Sequence, residues 1–310
     1  MREIAYQTCD VFTSRALEGN QLAVFLDATE LSDAEMQALA RETNLSETTF
    51  ILPRDEATER QHGVRVRIFT TQEELPFAGH PTLGTATVLR CLFPQYSGAG
   101  EIVLDLKAGR VPVAFPSEKN SGDAIEAAHA FGVMTQPQPS FGRWHDPAEV
   151  APLLSLRVDD LLAGPAPQTV STGLPFCVVR LRSLEALSRM RVKGSDAEEY
   201  FARMERGGSK GPHAKFFYAI ATEGANEWRA RMQFYNGEDP ATGSASGCAV
   251  SYLVQHGIVA SGTQLHLRQG IEIHRPSDLF VSAKLASGRI EEVRVGGSTV
   301  LVAKGRFFLE

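Results

Sequence analysis

The sequence is short of cysteine, of long apolar runs and of basic charge, and each shortage excludes a class of protein. Four cysteines occur among 310 residues, at Cys9, Cys91, Cys177 and Cys248, without any C-x-x-C pair. Scattered cysteines of this kind predict reduced, buried thiols rather than a disulfide framework or a zinc site. No apolar run approaches the roughly 18 residues that a membrane helix requires. We therefore expect no membrane association.

The net charge and the first residues limit which binding partners and which cellular compartment we expect. Lys and Arg total 31 against 37 Asp and Glu, which gives a formal net charge of −6 and a sequence pI near 5.8. A surface that follows phosphates normally carries a basic excess, so nucleic acid is not expected as the main partner. The start, Met1 to Asp10, has no apolar segment of signal-peptide length. These features predict a cytoplasmic protein.

The common cofactor and nucleophile motifs are missing as well. The sequence has no G-x-x-x-x-G-K-[ST] loop and no G-x-G-x-x-G after a strand. Ala245 stands where a nucleophile elbow requires serine, and no H-E-x-x-H or close His/Cys cluster suggests a metal site. A site without cofactor or metal is the expectation that these absences leave.

What is present is the composition and length of a globular protein with two domains. Hydrophobic residues make up 43% and charged residues 22% of the sequence, as in a soluble globular protein. At roughly 100 to 200 residues per domain, a chain of 310 residues is long enough for two domains. Ser32 with Glu35 predicts the capped start of a helix, and Val64 to Phe69 alternates as a half-buried strand does. Further predictions are a hairpin tip at 116–122, one charged helical segment from Ser183 to Met204 and a strand at 271–274. The prolines within 135–139 mark the candidate domain boundary.

One unit of sequence occurs in both halves. Residues 65–80 and 229–244 each contain an arginine-rich alternating strand, an acidic turn and a glycine-containing loop, and an apolar helix follows each. This duplication predicts two similar domains. The loops place small residues at a helix N-terminus, where free N–H groups and the helix dipole favour an anion such as a carboxylate. Glu73, Glu74 and Glu238, in the acidic turns, are interpreted as solvated charges outside the site.

Three segments then reveal a resemblance. N-L-S-E-T-T-F at 44–50, R-I-F-T-T-Q-E-E-L-P-F-A-G-H-P at 67–81 and G-E-D-P-A-T-G-S-A at 237–245 closely resemble the PhzF-type phenazine biosynthesis family. E-G-N-Q-L-A-V-F at 18–25 is similar to the family's opening. The ordered motifs span essentially the whole chain.

The resemblance implies an α+β fold of the diaminopimelate epimerase-like class. This fold has two pseudo-symmetric domains, each a curved, mostly antiparallel sheet or barrel around a central helix, with the active site between them. We place the N-terminal domain at residues 1–130, with the last strand near 299–310 packing back on it, and the C-terminal domain at 131–298. Members are typically homodimers. The family's type member isomerises trans-2,3-dihydro-3-hydroxyanthranilate without a cofactor.

The resemblance also assigns site residues. Glu47 matches the catalytic acid/base, and His80 and Asp239 match further catalytic polar residues. Matches to substrate-binding positions are Asn20, Gly79, Gly243 and Ser244. We hypothesise that a substrate carboxylate binds the loop N–H groups while Glu47 removes a proton from an activated carbon and returns it elsewhere on the same face.

The departures from related enzymes are informative. Amino-acid epimerases of this fold carry a cysteine in each loop, whereas this chain has A-G-H-P at 78–81 and T-G-S-A at 242–245. The two-cysteine mechanism is therefore absent. Gln21 and Pro240 differ from many members beside the site and leave the substrate open. Two alternatives stand beside phenazine synthesis: an isomerase or epimerase of the same fold for another small amino or hydroxy acid, and a non-catalytic small-molecule binding protein.

Overall fold

Two units divide the chain in the computed structural model, which describes residues 1–116, 129–208, 210–234 and 237–310. Unit 1 consists of Met1–Thr135 with Gly296–Glu310, and unit 2 of Gln136–Val295. Apart from Pro116, the hairpin tip predicted at 116–122 lies outside the described residues.

Unit 1 contains three helices among its described residues. They are α1 (Asp33–Thr43), α2 (Glu56–His62) and α3 (Gly79–Leu92). Its strands are β1 (Arg2–Val11), β2 (Asn20–Phe25), β3 (Thr48–Leu52), β4 (Val64–Phe69), β5 (Glu74–Leu75), β6 (Glu101–Leu106), β7 (Gly109–Ala114) and β8 (His129–Gln136). The long last strand, Arg289–Leu309, contributes residues 296–309 to this unit.

The sheet of unit 1 closes on itself. Its order is β1-β2-β3-β4-β6-β7-β8 followed by the last strand, which pairs antiparallel with β1 from Arg2↔Leu309 to Val11↔Thr299. The pairs β2–β3 and β4–β6 are parallel, and the other registers described within the unit are antiparallel. This closure leaves no open edge in the eight-strand barrel.

Helix α3 is the central helix of that barrel. Every residue from Gly79 to Leu89 is buried, and the helix contacts β1, β2, β3, β6 and β7. A helix that is buried all round needs apolar or small residues on every face, which the sequence T-L-G-T-A-T-V-L provides. A Cβ at Gly84 would stand 2.6 Å from Leu22 Cδ2, so glycine permits this close packing.

Unit 2 contains four α-helices among its described residues. They are α4 (Pro147–Leu153), α5 (Leu184–Arg189), α6 (Gly194–Arg206) and α7 (Gly243–Gln255). Its strands are β9 (Ser140–Trp144), β10 (Gln168–Ser171), β11 (Pro175–Arg180), β12 (Phe216–Thr222), β13 (Glu227–Arg231), β14 (Gln233–Phe234), β15 (Gly237–Glu238), β16 (Leu265–Gln269) and β17 (Ser277–Ala286). Completing the chain order, β18 is the strand Arg289–Leu309.

The second sheet repeats the plan of the first. Its order is β18-β17-β16-β13-β12-β11-β10-β9, in which β11–β12 and β13–β16 are parallel pairs. Helix α7 contacts β10, β11, β12 and β17, and all its residues from Gly243 to Val254 are buried. The expected class, an α+β fold of curved, mostly antiparallel sheets around buried helices, is confirmed.

Local predictions have mixed outcomes. Ser32 caps α1 and forms the predicted capping box with Glu35. The strand predicted at 271–274 is wrong: Ile271–Ile273 is a short 3-10 helix, because Gly270 and His274 on either side adopt left-handed conformations. The single helical segment predicted from Ser183 to Met204 is also wrong, since residues 190–193 separate α5 from α6.

Within the described residues, no helix combines the length and apolar character of a membrane span.

Candidate active site

Unit 1 brings three of its predicted site residues together at one end of its barrel. Asn20 begins β2 and Glu47 immediately precedes β3; these strands run parallel, so their starts lie at the same end. His80 is the second residue of α3. The Nδ2 atom of Asn20 lies 3.1 Å from His80 Nδ1, and His80 Nε2 lies 3.7 Å from Glu47 Oε2.

The imidazole of His80 is neutral at physiological pH. The residue is 3% exposed, and burial lowers its pKa to about 3 against a smaller raising effect from a hydrogen bond with the Gln21 backbone. Its Nε2 atom has no hydrogen-bond partner in the described part of the chain, since 3.7 Å to Glu47 exceeds hydrogen-bond length. A buried polar atom without a partner is costly, so Nε2 is a natural contact for a polar ligand atom beside the Glu47 carboxylate.

The start of α3 leaves backbone donors available. Ala78 is the N-cap residue and makes no side-chain capping bond, and Gly79 and His80 occupy the first turn. Neither Ala78 nor Gly79 has a side-chain acceptor to offer, so the positive end of the helix dipole is not neutralised from within the turn. This is the local chemistry that attracts a carboxylate.

Unit 2 brings Asp239, Gly243 and Ser244 together in the corresponding turn. Asp239 follows β15 and is 5% exposed, and its Oδ2 accepts a hydrogen bond of 2.6 Å from the Thr242 hydroxyl. Thr242 is the N-cap residue of α7 and receives no side-chain capping bond. Gly243 and Ser244 form the buried first turn of that helix.

The buried side-chain amide of Gln136, which the sequence analysis did not predict, holds this turn by a hydrogen bond. Gln136 Nε2 donates to the Gly243 carbonyl at 2.9 Å, and Gln136 Oε1 accepts from the Thr172 hydroxyl at 2.7 Å. Because a trans peptide is planar, fixing the Gly243 carbonyl also fixes the direction of the Ser244 N–H. A Cβ at Gly247 would stand 1.9 Å from Gln136 Oε1, so any larger residue there would displace the amide.

The acidic turns contain a repeated ion pair, which corrects one interpretation. Arg67 Nε and Nη2 donate to the two oxygens of Glu74 at 2.8 and 3.0 Å. Arg231 and Glu238 are likewise seven positions apart and form an ion pair, and their side chains are 2% and 5% exposed. The interpretation of Glu74 and Glu238 as solvated charges is therefore wrong, whereas Glu73 is exposed as expected. The Arg67 guanidinium lowers the pKa of Glu74.

The four cysteines are all free. Cys9, Cys177 and Cys248 are buried, as expected, whereas Cys91 is half-buried. Burial raises the pKa of Cys248 to about 12, and it also raises the pKa of Cys9 and Cys177. These three thiols remain protonated at neutral pH. No cluster of three or more His, Cys, Asp or Glu side chains that could hold a metal ion is found in the described ranges.

Comparison with known proteins places this geometry in a family. The family model described as phenazine biosynthesis-like protein, PhzC-PhzF, matches residues 9–305. The chain belongs to this family. An uncharacterized isomerase of Mesorhizobium japonicum is 34% identical over 98% of each chain. The trans-2,3-dihydro-3-hydroxyanthranilate isomerase of Pseudomonas aeruginosa is 33% identical over 98% of this chain and 99% of its own.

Solved structures agree with the sequence relatives. A predicted epimerase from Pseudomonas aeruginosa has a TM-score of 0.79 and 35% sequence identity, and the match covers 99% of this chain and all of the other. The expected epimerase-like fold and the resemblance to the PhzF family are thereby confirmed. The protein is an isomerase of this family. The roles of Glu47, His80 and Asp239 stay predictions.

Sequence reasoning missed the residues that support the site. Gln136, Thr172 and Gln269 contact the predicted residues from distant positions, and the Arg231–Glu238 pair flanks Asp239. One signal was available, because Arg67 with Glu74 and Arg231 with Glu238 occupy equivalent positions of the duplicated unit. No comparable signal marks either glutamine.

Proposed function

We propose that this isomerase moves a proton between carbon atoms of a small carboxylic acid such as trans-2,3-dihydro-3-hydroxyanthranilate. The relative of Pseudomonas aeruginosa named for that reaction supports the substrate class at 33% identity. The residue roles follow from the family resemblance. Asn20, Gly79, Gly243 and Ser244 bind the substrate, and Glu47, His80 and Asp239 act on it.

The pairing of Glu47 with His80 carries the proposal. A carboxylate whose side chain is 16% exposed faces a buried, neutral imidazole with an unpartnered nitrogen. A proton shuttle requires a base that is shielded from bulk water yet reachable by a ligand, and this pair has both properties. His80 stays neutral, so it can hydrogen-bond a substrate hydroxyl or amino group without introducing a positive charge.

The proposed step is balanced by the substrate itself. Glu47 takes a proton from a carbon next to an unsaturated group, and the electron pair of that C–H bond spreads into the unsaturation. The protonated Glu47 then delivers the proton to another carbon of the same system. One C–H bond breaks and one forms, so no oxidant, reductant or co-reactant is consumed.

The substrate carboxylate would bind the N–H groups at the start of α3, which lacks a side-chain cap. Binding the non-reacting carboxylate in this way orients the reacting carbon toward Glu47. Asp239 is the second acid/base group and hydrogen-bonds the amino or hydroxyl substituent.

Deuterium exchange across a panel of acids tests this function. The purified protein is incubated in D2O with trans-2,3-dihydro-3-hydroxyanthranilate and, separately, with small amino and hydroxy acids, and products are followed by NMR and absorbance. Isomerisation of the first compound with deuterium incorporation supports the proposal. Exchange of another acid alone would replace the named substrate and support the same-fold alternative. Ligand binding without any exchange would overturn the enzymatic proposal in favour of a binding protein.

A further inference from the structure

The side chain of Gln269 is held in place beside the turn that contains Asp239. It ends β16 and is fully buried, with four hydrogen bonds. Its Nε2 donates to the Asp239 carbonyl at 2.8 Å and to Thr242 Oγ1 at 2.9 Å. Its Oε1 accepts from the Thr242 N–H at 3.1 Å and from the Tyr218 hydroxyl at 3.0 Å. All these partners belong to unit 2.

Two backbone groups decide which way this amide faces. A backbone N–H only donates, so the atom opposite Thr242 N must be the amide oxygen of Gln269. A backbone carbonyl only accepts, so the atom opposite the Asp239 carbonyl must be the amide nitrogen. The Nε2 position at Thr242 Oγ1 follows, and at that contact the hydroxyl accepts.

The Thr242 hydroxyl therefore has a single acceptor for its own hydrogen. Among the described residues its oxygen contacts Gln269 Nε2, from which it accepts, and Asp239 Oδ2 at 2.6 Å. The hydroxyl hydrogen must point to Oδ2. That carboxylate oxygen is thus held as a hydrogen-bond acceptor.

We propose that Gln269 and Thr242 are positioning residues that keep Asp239 Oδ2 unprotonated and direct any proton of this carboxyl to Oδ1. The inference rests on the proposed acid/base role of Asp239. It gives that role a direction, because only one oxygen of the carboxyl exchanges a proton with a ligand.

Close packing holds Gln269 against the turn that contains Asp239. Gly270 has φ of +76°, and a Cβ there would stand 2.2 Å from the Arg275 carbonyl oxygen and 2.6 Å from that of Pro240. The strand end therefore lies directly against the residue after Asp239. The Ser246 hydroxyl donates to the Thr242 carbonyl at 2.9 Å and lies 2.8 Å from the Tyr218 hydroxyl, which extends the fixed network into α7.

Two titratable neighbours among the described residues, Tyr218 and Glu238, do not compete for this proton. Tyr218 on β12 is fully buried, and burial followed by the charge of Asp239 raises its pKa, so it stays a neutral donor. Glu238, next to Asp239, is held by Arg231 of β13 through two hydrogen bonds. The Thr242 hydroxyl contacts Oδ2 directly.

A matched pair of variants tests the proposal. Thr242→Val removes the hydroxyl at nearly constant shape, and Thr242→Ser keeps it. In Thr242→Val we expect kcat to fall about tenfold or more, KM to change less than about twofold, and the acid limb of the pH–rate profile to move up by about one pH unit. Thr242→Ser should restore most of the activity and the original profile. Thr222→Val, which removes an exposed hydroxyl of unit 2, controls for the substitution itself.

A measurement without turnover separates this proposal from the proposed function. With 13C-labelled aspartate carboxyls, the Asp239 resonance is assigned by its loss in Asp239→Asn and titrated by NMR. Its midpoint should rise by about one pH unit in Thr242→Val and in Gln269→Glu, because the new Gln269→Glu carboxylate draws the Thr242 hydroxyl away. Gln264→Glu, at an exposed position, controls for the added charge. An unchanged midpoint in folded Thr242→Val would overturn the inference, whatever acid the enzyme isomerises.

Discussion

Arg231 holds Glu238 by two parallel hydrogen bonds, Nε to Oε1 at 2.7 Å and Nη2 to Oε2 at 2.5 Å. Its Nη1 also donates to the carbonyls of Leu187, Ser188 and Met190. The guanidinium thus connects the turn before Asp239 to the end of α5. Arg67 and Glu74 repeat the bidentate pair in unit 1, without the three carbonyl contacts.

This difference predicts unequal losses of stability. Arg231→Met removes the charged partner of the buried Glu238 carboxylate and one donor to each of three carbonyls, and should lower the free energy of unfolding by about 3 to 5 kcal/mol. Arg67→Met, at a more exposed pair, should cost about 1 kcal/mol. Urea denaturation of both variants measures the losses. Equal losses would contradict the importance assigned to burial.

The acid sensitivity of the fold should depend on buried histidines. His145 in unit 2 bonds Tyr200 and Thr169 at 2.8 Å each, and burial, followed by the charge of Arg143, lowers its pKa to about 4. Between pH 6.5 and 4 this histidine is protonated in the unfolded chain but not in the native protein. The free energy of unfolding therefore decreases as the pH is lowered through this range. One such group contributes a slope of up to about 1.4 kcal/mol per pH unit, reached well inside that window.

His145→Asn should therefore flatten the dependence of the free energy of unfolding on pH between 6.5 and 4. His80, with a pKa of about 3, contributes a further slope of the same sign in unit 1. The measurement is urea denaturation at several pH values, with His62→Asn on the exposed face of α2 as the control. A wild-type slope in His145→Asn would show that this residue is not neutral in the native state.

Glycine at position 247 should be needed for the start of α7. In Gly247→Ala the new Cβ meets Gln136 Oε1, so the amide must leave the Gly243 carbonyl. We expect a loss of about 1 to 3 kcal/mol of stability, with weakened substrate binding. Gly194→Ala is the matched control, because a Cβ at that helix start meets nothing within 4 Å. If both variants behave alike, Gln136 does not constrain the helix.

Cysteine modification should leave activity intact. Cys9, Cys177 and Cys248 are buried thiols with raised pKa values, so native alkylation should reach Cys91 alone. Mass spectrometry and an activity assay after iodoacetamide treatment check this, with Cys91→Ser as the control. Rapid inactivation that substrate prevents would indicate a cysteine mechanism.

The sequence predicted those elements whose cause is local. β4 has the bounds expected from its alternating pattern, and Ser32 caps α1 as its spacing indicates. Helix α2 was missed because it buries no residue and so has no apolar stripe. The strand predicted at 271–274 failed because two left-handed residues turn the chain.

The residues of the site likewise fall into those that the sequence predicted and those that it did not. Motif resemblance identified Glu47, His80 and Asp239 as candidates, and the structure places the first two side by side. Gln136 and Gln269 could not be predicted, because they reach their partners 107 and 30 residues away along the chain. Glu238 was misjudged because a carboxylate in a turn is normally solvated, and the equal spacing of Arg67 with Glu74 and of Arg231 with Glu238 was not interpreted as a repeated ion pair.

The proton-shuttle role of Glu47 is the central claim, and deuterium incorporation by Glu47→Gln tests it most directly. The variant removes the base at constant shape, and Glu42→Gln on the exposed surface of α1 is the matched control. With the acid that the wild-type protein isomerises in D2O, we expect Glu42→Gln to exchange normally and folded Glu47→Gln to lose about a hundredfold or more in rate. Wild-type exchange in Glu47→Gln would contradict the account.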